Sequence, residues 1–83
     1  MIDHALIEFT KESGEVLLTE RYSTEQMAQE EFDRLATVKW PYTHKGLVLN
    51  LSEFPEGRIG SVRLIAVSNT GERFERRELF RKP

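Results

Sequence analysis

Cysteine is missing altogether from this chain of 83 residues. That one absence excludes a disulfide framework, a thiolate metal site and a cysteine nucleophile. Long apolar runs are missing too. None exceeds Leu64-Ile65-Ala66-Val67, far short of the roughly 20 residues of a membrane-spanning helix or the 7–15 of a signal-peptide core. The expectation is a soluble, cytoplasmic protein. Histidine is scarce: His4 and His44 lack the close His/Asp/Glu spacing of a metal site. Ser13, Ser23, Ser52, Ser61 and Ser68 stand beside turn or cap residues with no nucleophile-elbow pattern. Gly57-Arg58-Ile59-Gly60 has neither the Lys-Ser/Thr pair nor the following helix of a phosphate loop. The reading is a protein that is not an enzyme, with no catalytic residues, no metal, no cofactor and no small-molecule substrate.

Charge is plentiful and unevenly placed. Charged residues make up 31% of the chain for a net of −2. Residues 1–33 hold nine acids against Lys11 and Arg21, while residues 34–83 hold ten bases against five acids. Such asymmetry marks either a nucleic-acid or membrane contact, or internal pairing of an acidic part with a basic part. The small net charge favours internal pairing, because a generic polyanion binder is strongly basic overall.

Two segments read as hairpins. Ala5, Ile7 and Phe9 alternate with His4, Leu6 and Glu8; Val16, Leu18, Glu20 and Tyr22 alternate with Leu17, Thr19 and Arg21. This period of two is the signature of half-buried strands. Between the runs lies Glu12-Ser13-Gly14-Glu15, whose Gly suits a type I turn closed by a glycine bulge. The same chemistry recurs at Asn69-Thr70-Gly71-Glu72, between Val62–Ser68 and Arg73–Phe80. Helical spacing puts Phe74, Leu79 and Phe80 on no common stripe, so the last segment reads as a charged strand.

One helix stands between the hairpins. Ser23-Thr24-Glu25-Gln26 is a capping-box candidate with Ser23 as cap. Ala28, Phe32 and Leu35 form a core-facing stripe with Met27 beside them. Glu30 and Arg34 form a favourably oriented i,i+4 pair. Pro41 disfavours helical geometry at Trp40 and ends the helix. After it, Leu47, Leu49 and Leu51 alternate with Val48, Asn50 and Ser52 as a third strand.

The expected fold is α+β, a single domain of residues 1–83 in the order ββαβββ: hairpin 4–22, helix 24–38 and a three-strand meander 46–80. A five-stranded antiparallel sheet of order 2-1-3-4-5 would carry the helix on one face, because a crossover from the second strand skips the first. Ala5, Ile7, Phe9, Val16, Leu18, Leu47, Leu49, Leu51, Val62, Leu64 and Ala66 would face the helix. The opposite face would then carry Leu6, Leu17, Val48, Ile65, Val67 and Leu79 with no second helix over it. An antiparallel sheet with a solvated face normally shows polar residues there, and six large aliphatics exceed what most monomers leave open. These six residues are the candidate dimer or partner face, the other reading being a sheet curled enough to close the patch on itself.

Two further surfaces are candidates. Trp40, Tyr42 and His44, with Phe54 from a neighbouring loop, offer aromatic contacts of the kind that anchor interfaces. Arg73, Arg76, Arg77, Arg81 and Lys82, interleaved with Phe74 and Phe80, resemble a single-strand nucleic-acid surface. Glu72, Glu75 and Glu78 sit among these bases and would repel phosphate, so nucleic acid is the second choice. In size and layout the chain resembles many short phage or mobile-element proteins that bind and modulate a host protein. The functional expectation is therefore a small protein-binding module, an accessory or inhibitor protein of that kind and a homodimer, with a nucleic-acid-binding module on the basic last strand as the alternative.

Overall fold

The structure, a computed structural model, describes residues 1–11, 13–38, 42–49 and 59–79. The elements are β1 (Ile2–Lys11), β2 (Val16–Tyr22), α1 (Glu25–Thr37), β3 (Tyr42–His44), β4 (Leu47–Leu49), β5 (Ile59–Ser68) and β6 (Arg73–Leu79). The fold is α+β, with one helix and an antiparallel sheet among the described residues. No helix among them is long and apolar enough to cross a membrane.

The two glycine turns are one device used twice. The Gly14 amide donates to the Lys11 carbonyl at 2.9 Å and the Lys11 amide to the Glu15 carbonyl at 2.8 Å. At the second turn, Gly71 donates to Ser68 at 3.0 Å and Ser68 to Glu72 at 2.8 Å. Gly14 and Gly71 have φ of 96° and 90°, a region closed to most residues by their Cβ.

Sheet order departs from expectation. The main sheet has four strands in the order β2-β1-β5-β6, and β3 and β4 form a separate two-stranded sheet. The segment expected to lie beside β1 is instead half of a short hairpin, Leu47 to Leu49 pairing with Tyr42 to His44 around Lys45-Gly46. The crossover that skips β1 does exist, but it lands on β5. The reason is length. β5 has ten residues that match the ten of β1 along nearly their whole run, whereas three-residue β4 satisfies few backbone groups.

Two strand irregularities correct the expected faces. In β2, Thr10 pairs with Val16 and Phe9 with Leu18, which leaves Leu17 as an extra residue. A bulge of this kind turns consecutive side chains toward one side. Leu17 and Leu18 both pack against the helix-side core, and Val16, expected inside, is 46% exposed. In β6, Leu64 pairs with Arg77 and Ile65 with Glu75, so Arg76 is the extra residue. Leu79, expected on the open face, thereby joins Leu17 against the core.

The helix packs as its stripe dictates, with Ala28, Phe32 and Leu35 buried against Ala5, Ile7, Phe9, Val62 and Leu64. Its N-cap is Thr24, whose hydroxyl accepts from the Met27 amide at 3.1 Å, one residue beyond the expected cap. The Ser23 hydroxyl lies 3.4 Å from the Met27 sulfur, and Met27 remains half exposed rather than facing the sheet. Arg34 pairs with Glu31, one turn back on the helix. The helix gives way to extended backbone at Val38; Trp40 and Pro41 lie outside the described residues.

Candidate interaction surface and its charge network

The sheet face away from the helix is built by the alternation of β1 and β5. Leu6 stands opposite Ile65, Glu8 opposite Arg63, and Thr10 opposite Ser61. His4 pairs with Val67 in the same phase. Of the six aliphatics expected here, Leu6, Ile65 and Val67 share this face. Leu17 and Leu79 have moved to the core side, and Val48 belongs to the β3–β4 hairpin. Ile65 and Val67 are only 5% and 7% exposed. The open patch is thus much smaller than six solvent-facing aliphatics would make it.

Long charged side chains lie across this face. Arg73 of β6 reaches Glu8 of β1 at 2.5 Å, and because β5 runs between those strands, the bridge passes over β5. Arg63 of β5 lies 3.1 Å from Glu78 and 3.4 Å from Glu75. Ile65 follows Arg63 in the same phase, between these two bridges. The aliphatic stems of Arg and Glu shield apolar neighbours while their heads stay wet. At the β2 edge, Asp3 accepts from His4 at 2.8 Å and meets Arg21 at 3.8 Å. The Thr10 and Ser61 hydroxyls bond each other at 2.5 Å, both buried. The result is a face with carboxylates Asp3, Glu8, Glu75 and Glu78 against guanidinium groups Arg21, Arg63 and Arg73, around a small apolar centre.

Three of the five bases expected to hold nucleic acid are already engaged. Besides Arg73 with Glu8, Arg76 meets Glu25 of the helix at 3.2 Å and lies over the Phe74 ring at 5.6 Å. Arg77 donates to Asp33 and stands 4.7 Å over the Phe32 ring. The Arg77 hydrogen bond holds the Asp33 carboxyl below its ordinary range. The acidic helix and hairpin pair with the basic last strand, as the uneven charge distribution allowed. Arg81 and Lys82 lie outside the described residues.

Of the aromatic loop candidates, Trp40 and Phe54 lie outside the described residues and Tyr42 opens β3. His44 is buried, not a surface contact. Its ring stacks on Phe9 with centroids 5.2 Å apart and planes at 24°. Its Nε2 lies 3.0 Å from Glu20 Oε1, and Lys45 Nζ lies 2.5 Å from Glu20 Oε2. The Tyr22 hydroxyl donates to Glu20 Oε1 at 3.1 Å. Burial raises the Glu20 carboxyl, but hydrogen bonds from Lys45 and His44 outweigh it and hold the group below its ordinary value. Burial, followed by the charge of Glu20, drives the Tyr22 phenol far above its own. This cluster was not singled out from sequence, although a signal was present: Glu20 shares the inward phase of Leu18 and Tyr22.

Among the described residues no group of three or more His, Asp or Glu side chains is placed to hold a metal ion. Comparison with known proteins finds no matching family model, no matching curated protein and no matching solved structure.

Proposed function

We propose that this chain is a small protein-binding module that works by contact, and that its partner at the open sheet face is a second copy of itself. The observation that carries the reading is the make-up of that face: Leu6, Ile65 and Val67 at the centre, and carboxylates and guanidinium groups in near balance around them. A surface carrying both signs in near-equal number does not repel its own copy. A twofold axis through it lets each acid meet a base of the other chain. An apolar centre inside a polar rim is also the usual anatomy of a protein interface.

Because the apolar centre is small and shielded by its own charges, association rests largely on exchanged ion pairs. The dimer should therefore weaken as salt rises. Accessory or inhibitory action on another protein, of the kind seen in short phage or mobile-element proteins, is compatible with either oligomeric state. The nucleic-acid reading is the weaker one, since Arg73, Arg76 and Arg77 would have to leave Glu8, Glu25 and Asp33 to reach phosphate.

Sedimentation equilibrium tests the proposal. Wild type should populate a dimer at high micromolar concentration in low salt, and Ile65→Glu should be monomeric with its helix signal intact. A wild type that stays monomeric across that range would overturn the reading.

A further inference from the structure

The β3–β4 hairpin is hydrogen-bonded into a sheet of its own, so the described contacts that fix its tip to the rest of the molecule are made by side chains. Its turn is not one the sequence would choose freely. Lys45 has φ of 49° and Gly46 follows at 85°. Two successive positive φ values define the two-residue turn whose first position normally goes to Asn, Asp or Gly. A lysine is held there while its ammonium reaches Glu20 at 2.5 Å. The preceding residue, His44, takes the other carboxylate oxygen at 3.0 Å and covers one face of Phe9. Both oxygens of one buried glutamate are thus engaged by consecutive residues at the tip of a hairpin that the main sheet does not hold.

We infer that the β3–β4 hairpin is a detachable strap with Glu20 as its catch, so that discharging this one carboxylate frees the tip and bares the ring face of Phe9. Described residues from three elements surround the catch. Tyr22 faces it from β2, and His44 and Lys45 face it from the hairpin. From α1, Glu31 and Arg34 act on Tyr22, and Glu31 also acts on Lys45. With the strap closed, the carboxyl sits below its ordinary value of 4.5. The closing interaction is therefore complete above that value and is lost as pH falls through the lower one. Release accordingly belongs to the acid side of the Glu20 titration. The strap lies on the helix side of the sheet, so the inference stands apart from the proposed dimer face.

Amide hydrogen exchange resolves this strand by strand. In wild type at neutral pH the amides of 42–49 should be protected. Glu20→Gln should speed their exchange at least tenfold while β1 and β5 stay protected. Acidifying wild type through the range below 4.5 should do the same. If Glu20→Gln does not fold, that titration decides the matter alone. Lys45→Met, which removes the ammonium held on Glu20 Oε2, should move the release midpoint to higher pH. Hairpin exchange unchanged in a folded Glu20→Gln protein would overturn the proposal. So would hairpin and sheet amides opening together on acidification, or a midpoint unmoved by Lys45→Met.

Discussion

At the residue scale, single side chains decide more here than their neighbours. Phe32 sits in the middle of the helix stripe, fully buried, and its ring also carries the Arg77 guanidinium. Phe32→Ala should cost about 3–5 kcal/mol, because it leaves a cavity as well as losing transfer energy. That is most of the stability of a domain this small. A loss below about 1 kcal/mol in denaturant melts would mean that Phe32 is not a core residue. Glu20 is the polar counterpart. It shares a row across the sheet with Ile7, Leu64 and Arg77, so the helix-side layer has an acid at one margin and a base at the other. Each is matched by a group outside the sheet: Lys45 and His44 for Glu20, and Asp33 for Arg77.

At the element scale, the bulges of the two edge strands explain where sequence reading succeeded and where it failed. The glycine turns, the helix with its stripe of Ala28, Phe32 and Leu35, and the strand assignment of 73–79 were all legible, because each rests on a local signal. The faces of Val16, Leu17 and Leu79 were not, since one extra residue reverses a period of two without leaving a compositional mark. The place of Leu47 to Leu49 was hidden for another reason. Pairing is a competition, and the long match of β1 with β5 is not visible from either strand alone. The bulge makes a sharp prediction. Deleting Arg76 removes the extra residue, leaves Phe74, Arg77 and Leu79 on the helix side, and costs the contacts with Glu25 and the Phe74 ring. Deleting Arg63 from the interior of β5 turns half of a central strand over. Thermal melts should show the first variant folded with a modest loss and the second unfolded; similar losses in both would rule out the bulge.

At the scale of the whole molecule, the uneven charge of the chain is spent on holding the fold together. The basic last strand is tied to β1 by Arg73 and to the helix by Arg76 and Arg77. Single-stranded DNA or RNA should accordingly bind weakly. Micromolar binding that falls steeply with salt would show these bases to be available after all. The open face was the part of the candidate site most visible in the sequence and the most altered by the structure. Leu6, Ile65 and Val67 remain on it, while Glu8, Arg63, Arg73, Glu75 and Glu78 turn an aliphatic patch into a charged lattice with an apolar centre. The claim that this lattice meets its own copy is tested most directly by isotope-filtered NMR on a mixture of labelled and unlabelled chains. Methyl contacts between chains should connect Leu6, Ile65 and Val67 and vanish in Ile65→Glu. Intermolecular contacts confined to other surfaces, or none at high micromolar concentration in low salt, would contradict it.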